Sequence, residues 1–288
     1  MNPALELAPG ERLEILSGAW RSHPEVTSAF LQDISGCHVT VVIVTRGRPE
    51  LQQAIESICR QDFAGPIRLL VVGDDCQELP ADFPAPAHVR PDVCNLQSVK
   101  LSRERNPYRR VARLRNVASR LVTTRFLCFL DDDNLWEEEH LSTLMRLIQQ
   151  TRLLAVHSWR RLVNRDGQPV TPDRYLWLPP GPQADQLFSL YCEHGVMDPT
   201  DSVVRDRPTL RIGDQNYGMV DMGEWLFDRQ LFSVVQFNEE GPSGKQQLHS
   251  GEDDKLLHEM HRLAIPVACT EQPTLLYRLG GFSNDFTQ

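Results

Sequence analysis

Residues 126–134 hold the side chains best suited to chemistry, because an apolar run ends there in three consecutive aspartates, Asp131, Asp132 and Asp133. Such a run, rich in aromatic and branched residues, predicts a buried strand of an α/β sheet. Ligands of open α/β sheets bind just beyond the carboxyl ends of the strands. Clustered carboxylates there suit Mg2+ or Mn2+, which prefer oxygen ligands and join carboxylates to substrate phosphates. The alternative is a solvated acidic turn before a helix that begins near Trp136.

Strand and helix patterns alternate around this run, over residues 39–150. Alternation of this kind implies a mostly parallel sheet covered by helices. Residues 171–216 are instead proline-rich and weakly periodic, which is typical of functional loops. The predicted elements are strands at residues 39–44, 67–72, 95–101, 126–130, 153–163 and 274–279, and helices at residues 51–58, 109–121 and 253–263.

The first 37 residues differ from the rest of the chain. Residues 11–17 and 26–34 could each form a short helix, and His23-Pro24 divides them. We therefore expect residues 1–37 to be a helical appendage. It could cover the sheet, contact a partner or pair with a second copy in a homodimer.

The composition is that of an ordinary folded protein, with 41% apolar and 24% charged residues among 288. The net charge of −9 argues against a nucleic-acid partner, because binding a phosphate backbone needs a basic face. The seven cysteines are scattered without a C-x-x-C pair, which favours free thiols in a reducing compartment. No apolar stretch approaches the ~20 residues of a membrane span, and the N-terminus lacks a signal-peptide pattern. We therefore expect a cytoplasmic protein without a membrane span.

Five blocks of the chain resemble, in order and spacing, the family 2 glycosyltransferases, which are nucleotide-diphosphosugar enzymes of the GT-A fold. Each block is common on its own, and the resemblance depends on their order over roughly residues 39–283. The blocks are the first strand with Thr45 to Arg48, the acids Asp74-Asp75, the pair Arg115-Asn116 with the aspartate run, the segment from Leu226 to Gly251-Glu252-Asp253, and the closing Tyr277-Arg278 with Ser283.

The resemblance implies a GT-A type α/β fold, with a Rossmann-like, mostly parallel sheet flanked by helices and an irregular acceptor-binding second half. Residues 38–288 would then form a single glycosyltransferase domain. Within it, residues 38–134 would bind the nucleotide sugar and residues 135–288 the acceptor. The expected partners are a UDP-sugar donor and a glycan or small-molecule acceptor.

The family's reaction builds negative charge on a diphosphate leaving group while the acceptor hydroxyl loses a proton. The resemblance assigns Mn2+ or Mg2+ to Asp133, where the cation would neutralise that charge as a Lewis acid. Asp131 would contact the ribose or a metal-bound water, and Asp132 would orient its neighbours. Asp253 would be the base of a single inverting displacement, with a contribution of ~10²–10⁴-fold in rate. Glu252 would bind the acceptor or, less favoured, act as the base.

The resemblance further assigns Thr45, Arg48, Asp74, Asp75 and Arg115 to nucleotide binding. Asp74 is preferred over Asp75 as the nucleoside contact, although Gly73 stands where the family often has its acid. Simpler interpretations stay open for these residues, because two acids can end a strand in a turn and Arg115 can be a solvated helix residue. The acids before the helix at 253–263 can likewise only complement its N-terminus.

The closing strand differs from the family pattern at a position that binds the metal in some members. Some members have a metal-binding histidine three residues after the tyrosine of this strand, and Gly280 occupies that position here. His249 could substitute as a metal ligand, although a lone histidine is more often a packing residue. Trp136, Trp159, Trp177 and Trp225 are candidates to stack on a sugar ring, although most tryptophans simply pack.

Three other functions fit part of the pattern. In a haloacid-dehalogenase-like phosphatase, Asp131 and Asp133 would be nucleophile and acid, but that motif usually lies on the first strand. A sugar nucleotidyltransferase would need a glycine-rich loop after the first strand, and this chain has none. A catalytically inactive nucleotide-sugar-binding module would keep the donor site and tolerate changes at Asp253.

Overall fold

The computed structural model describes residues 7–17, 38–98, 103–104, 106–240, 251–281 and 283–284. A ten-stranded sheet forms the frame of the molecule, and a separate two-stranded sheet lies apart from it. The strands are β1 (Glu11–Ser17), β2 (Val39–Thr45), β3 (Ile67–Asp74), β4 (Val89–Ser98), β5 (Phe126–Asp131), β6 (Leu135–Trp136), β7 (Ala155–Val163), β8 (Val203–Val204), β9 (Arg211–Ile212), β10 (Gln215–Asn216), β11 (Trp225–Asp228) and β12 (Val267–Arg278).

The centre of the sheet is parallel, in the order β4-β3-β2-β5, and its strands are apolar on both faces. Helices cover both faces, which is why these strands read as continuous apolar runs. Side chains alternate along a strand, so Val42 packs under α2 and α5 while Val41 and Ile43 pack under α1 and α3. The helices are α1 (Leu51–Cys59), α2 (Pro107–Leu121), α3 (His140–Thr151), α4 (Pro182–Glu193) and α5 (Glu252–Arg262).

Beyond β5 the sheet becomes mixed. Strand β11 lies between β5 and β7 and is antiparallel to both. Strand β12 runs parallel to β7, and β6 and β8 add short antiparallel pairs at the margin. The last residue of β12 returns to the aspartate run, since the backbone N–H of Arg278 donates to Asn134 Oδ1 at 2.9 Å. The expected α/β fold class is confirmed, with antiparallel additions to the parallel centre.

The N-terminal segment corrects one prediction. Residues 11–17, expected to be a helix, form β1, which pairs antiparallel with β4. Leu13 and Ile15 pack against one core cluster and Leu16 against the other, so the strand contributes apolar side chains to both faces of the sheet. Backbone pairing with this packing therefore outweighs helix propensity here. The second expected helix, at residues 26–34, lies outside the described residues.

Strand β4 also differs in extent from its prediction at residues 95–101, because it begins at Val89 and ends at Ser98. The sequence did not indicate this start because Pro91 lies there and proline is uncommon within strands. The proline lies outside the stretch of β4 that pairs with β1, which runs from Val93 to Ser98, so its missing N–H costs no hydrogen bond on that side.

The weakly periodic residues 171–216 contain a helix that the sequence did not indicate. This helix, α4, packs its Tyr191 ring on Tyr175, with the centroids 5.4 Å apart. Both tyrosines belong to a third apolar cluster that also takes Leu162 from β7 and Tyr277 from β12. None of the helices in the described ranges has the length and apolar character needed to cross a membrane.

A buried ion pair under the sheet gives the first testable prediction. Arg68 is fully buried, and its Nε lies 2.5 Å from Asp92 Oδ2. Replacing Asp92 with Ala leaves a buried guanidinium without its carboxylate, so we expect a loss of about 3–5 kcal/mol in the free energy of unfolding. Urea denaturation measures this loss. The double variant Arg68→Met with Asp92→Leu should recover most of it, and a loss below about 1 kcal/mol for Asp92→Ala, as for an exposed pair, would contradict the prediction.

Candidate active site

A cavity of about 550 Å³ lies at the carboxyl ends of β2, β3 and β5 and is bordered on its other side by the N-terminus of α5. It gathers most of the residues that the sequence singled out. Asp75 does not line it, and His249 lies outside the described residues. The predicted site residues that line the cavity are Thr45, Arg48, Asp74, Arg115, Asp131, Asp132, Asp133, Glu252 and Asp253.

The aspartate turn, Asp131 to Asp133, is held by Thr45 at the end of β2 and by Arg48 just after that strand. The Thr45 hydroxyl donates to Asp132 Oδ2 at 2.6 Å. Arg48 Nη1 donates to Asp133 Oδ2 at 2.7 Å, and its Nε lies 3.8 Å from Asp132. Burial lowers the pKa of Arg48, but the charges of Asp132 and Asp133 outweigh it and raise that pKa. Thr45 and Arg48 therefore fix the geometry of the acids in addition to lining the cavity.

Asp133 has the most strongly perturbed pKa of this turn. Burial raises its pKa to about 7, the charges of Asp131 and Asp132 add to the rise, and Arg48 opposes it. The carboxylates thus repel one another in a poorly solvated place, and additional positive charge there would be stabilising.

The turn fits a hard divalent cation. Its donors are carboxylate oxygens, the ligands that Mg2+ and Mn2+ prefer. Within the described ranges, no three His, Cys, Asp or Glu side chains converge into a complete metal cage. One or two carboxylates of the turn would suffice where Mg2+ is shared with water and substrate phosphates.

Asp74 is the last residue of β3 and Asp75 follows it, and the two acids have different surroundings. Asp74 is 5% exposed and lines the cavity, with Arg110 Nη2 at 2.6 Å from its Oδ2. Asp75 has a φ of +51° and is exposed outside the lining. Gly73 precedes the two acids. A residue with a side chain would not fit there, because Asn95 Oδ1 lies 2.6 Å from where its Cβ would be.

Arg115 joins the two sides of the cavity. Helix α2 begins where Asn106 caps it by accepting from the N–H groups of Tyr108 and Arg109. Two turns later the buried Arg115 reaches Asp131 and Glu252, each at 2.5 Å. Its single positive charge is thus shared between one acid from the strand side and one from the helix side.

Three acids open α5 and face the cavity. Burial raises the pKa of Glu252 to about 8, with Arg115 opposing and Asp253 adding to the rise. Burial also raises the pKa of Asp253 to about 8, and the charges of Asp254 and Asp221 push it further up. Asp254, which the sequence did not single out, accepts from the Gly251 N–H and is raised to about 6, first by burial. Asp253 and Asp254 therefore titrate as an interacting pair.

Arg160 lines the cavity together with Trp177 and Tyr277, and the sequence analysis did not identify it. Its guanidinium lies between the rings of Trp177 and Tyr277, at 4.5 and 5.0 Å from their centroids. It pairs with Asp206 at 3.0 Å and with Asp221 at 3.3 Å. Asp221 starts a short turn, whose capping pattern with Glu224 is visible in the sequence but gives no sign of a cavity.

The chain is similar to a known protein family over more than half of its length. Residues 40–213 match the family described as Glycosyl transferase family 2. The chain belongs to this family. The resemblance in the sequence is thereby confirmed. No curated protein matches it.

Solved structures of TarS from S. aureus have a similar fold. TarS 1-349 in complex with UDP-GlcNAc is 15% identical, with a TM-score of 0.52 and coverage of 85% of this chain and 60% of TarS 1-349. A further TarS 1-349 crystal structure is 14% identical, with a TM-score of 0.51 over 83% of this chain and 60% of that one. This chain thus spans 60% of the length of these structures.

Of the four tryptophans considered for sugar stacking, only Trp177 lines the cavity. Trp136 stacks on His140 and donates from Nε1 to the Gly223 carbonyl, and Trp225 stacks on Phe227 in the core. Their burial reflects packing, which the sequence alone could not separate from ligand contact.

The raised pKa of Asp253 predicts a pH-dependent stability. Its value of about 8 in the folded chain exceeds the ~3.9 of an unfolded aspartate, so the folded state binds this proton more tightly. The free energy of unfolding should therefore fall as pH rises from ~4 to ~8 and then level off. Thermal melts across this window should show a smaller decline for Asp253→Asn than for the wild type. Asp166→Asn, in an exposed turn, is the control, and an undiminished decline in Asp253→Asn would refute the assignment.

Proposed function

We propose that this protein is an inverting, metal-dependent glycosyltransferase that moves a sugar from a nucleotide-diphosphosugar, with a UDP-sugar favoured, to an acceptor hydroxyl. The main support is a single cavity lined on one side by the aspartate turn and on the other by Asp253. The likeness to a TarS structure in complex with UDP-GlcNAc supports a nucleotide-sugar donor.

On the donor side, Asp133 and Asp131 would hold Mn2+ or Mg2+. When bound, the cation supplies Lewis-acid stabilisation of the diphosphate leaving group. The protein's own part is to keep both carboxylates in place, with Arg48 on Asp133 and Arg115 from α2 on Asp131. Thr45, at the end of β2, holds Asp132 between them. Asp74 would contact the nucleoside from the end of β3, where it lines the cavity.

On the acceptor side, Asp253 would take the proton of the attacking hydroxyl. A pKa near the working pH suits a general base, and burial beside Asp254 and Asp221 brings the pKa of Asp253 to about 8. Glu252 is engaged by Arg115 and would orient the acceptor. A base facing the donor across one cavity favours a single displacement, which inverts the anomeric centre.

The organisation of the chain forms part of the proposal. Residues 38–134 would bind the donor and residues 135–288 the acceptor, a glycan or small molecule. Tyr175 and Trp177 line the cavity and come from the loop region expected to set acceptor choice. The free thiols favour a cytoplasmic location, and residues 1–37 could support a homodimer.

Nucleotide binding tests the donor assignment. We expect UDP, compared with GDP, dTDP and CDP, to raise the Tm of the wild type when Mn2+ or Mg2+ is present. A ligand at 100 times its Kd adds about 2.7 kcal/mol. Asp133→Ala should remove the metal-dependent part of the shift, whereas Asp166→Ala should retain it. Unchanged UDP affinity with metal in Asp133→Ala would reject Asp133 as the metal ligand.

Turnover tests the base. Asp253→Asn should leave UDP affinity within about twofold and reduce transfer by ~10²-fold or more, because only the proton acceptor is lost. Release of UDP from a UDP-sugar, with a panel of acceptors, measures the rate. Asp166→Asn, in an exposed turn away from the cavity, is the control and should retain full activity. Normal turnover in Asp253→Asn would assign the base elsewhere, and UDP binding without any turnover in the wild type would favour the inactive module.

A further inference from the structure

Arg278, the last residue of β12, is a buried cation with unused hydrogen-bond donors. It is 6% exposed and lines the cavity. Its Nη2 donates to Gln53 Oε1 at 2.7 Å. Its Nε and Nη1 are buried and have no hydrogen-bond partner. No carboxylate among the described residues lies within ion-pair distance of it.

The other arginines that line the cavity differ from Arg278 in this respect. Each of them has a carboxylate within 4 Å, and a buried charge is costly unless it is paired in this way. The pairs are Arg46 and Arg110 with Asp74, Arg48 with Asp133, Arg115 with Asp131, and Arg160 with Asp206.

The end of β12 lies directly beside the aspartate turn. The Arg278 backbone N–H donates to the side chain of Asn134, the residue after Asp133. At Gly281, a Cβ would come within 2.8 Å of Asp133 Oδ2. Arg278, a lining residue, thus borders the part of the cavity where a metal-bound diphosphate would be located if Asp133 holds the metal.

We infer that Arg278 binds the diphosphate of the donor through Nε and Nη1. The fork of a guanidinium matches phosphate oxygens, and charge-assisted bonds of this kind are among the strongest. The inference rests on the proposed function, and it explains why the protein retains a buried cation without an internal counter-charge. Arg278 would then be a substrate-binding residue, whose partner arrives only with the ligand.

The test uses the full chain with Mn2+ and three probes, UDP, uridine and inorganic pyrophosphate. Arg278→Gln should weaken UDP and pyrophosphate by about tenfold or more and leave uridine unchanged. Without ligand, its Tm should equal or exceed that of the wild type, because an unpaired buried charge has been removed. Arg278→Lys should retain part of the diphosphate affinity. Arg165→Gln changes an exposed arginine outside the cavity and should alter none of these values.

Two results would overturn the inference. One is UDP affinity in Arg278→Gln equal to that of the wild type. The other is a lower ligand-free Tm with equal losses for UDP and uridine, which would make Arg278 a structural residue only. If the wild type binds neither UDP nor uridine but binds pyrophosphate through Arg278, the proposed donor fails while the anion site stands.

Discussion

The salt bridge of Arg115 with Asp131 and Glu252 is the constraint on which the site depends. Both acids are 2.5 Å from one buried guanidinium, so the strand that carries the aspartates and the helix that carries the acids at 252–254 are fixed relative to each other. Rings of Phe129 and Phe237 lie against the same guanidinium, 5.7 and 5.8 Å from its centre, and exclude water from it. The neighbouring Asn116 bonds both the N–H and the carbonyl of Phe237 and thereby holds that residue beside the guanidinium.

The two sides of the cavity handle negative charge differently. Around the aspartate turn, arginines pair with Asp74 and Asp133, and the remaining imbalance at Asp133 is what a cation would relieve. On the side of α5, Asp221, Asp253 and Asp254 have fewer cations, and burial and mutual repulsion raise the pKa of each carboxyl. The two sides would therefore suit the proposed transfer, with a charged diphosphate at the aspartate turn and proton exchange beside α5.

Patterns within single segments of the sequence predicted part of this site, and contacts between distant residues determine the rest. The aspartate run, the flanking strands and α2 could be predicted because their periodicity lies within one segment. The Thr45 bond to Asp132 joins residues 87 positions apart, and the Arg160 pair with Asp221 spans 61, so no spacing rule indicates them. The error at residues 11–17 has the same origin, since its strand exists only through pairing with β4. Helix α4 was missed because prolines and scattered aromatics obscure its apolar face.

Strand β11 fixes the position of Asp221, a cavity residue that the sequence analysis did not identify. Asp221 lies in the turn that leads directly into β11, and β11 is hydrogen-bonded to β5 on one side and β7 on the other. The register that pairs Leu226 with Cys128 thus sets how far Asp221 lies from the aspartates at the end of β5. A slip of one residue would turn Leu226 and Phe227 to the wrong faces, so burial specifies the register strongly. Because β5 also carries Asp131, this strand positions the aspartates directly and the opposite wall of the cavity through its antiparallel neighbour.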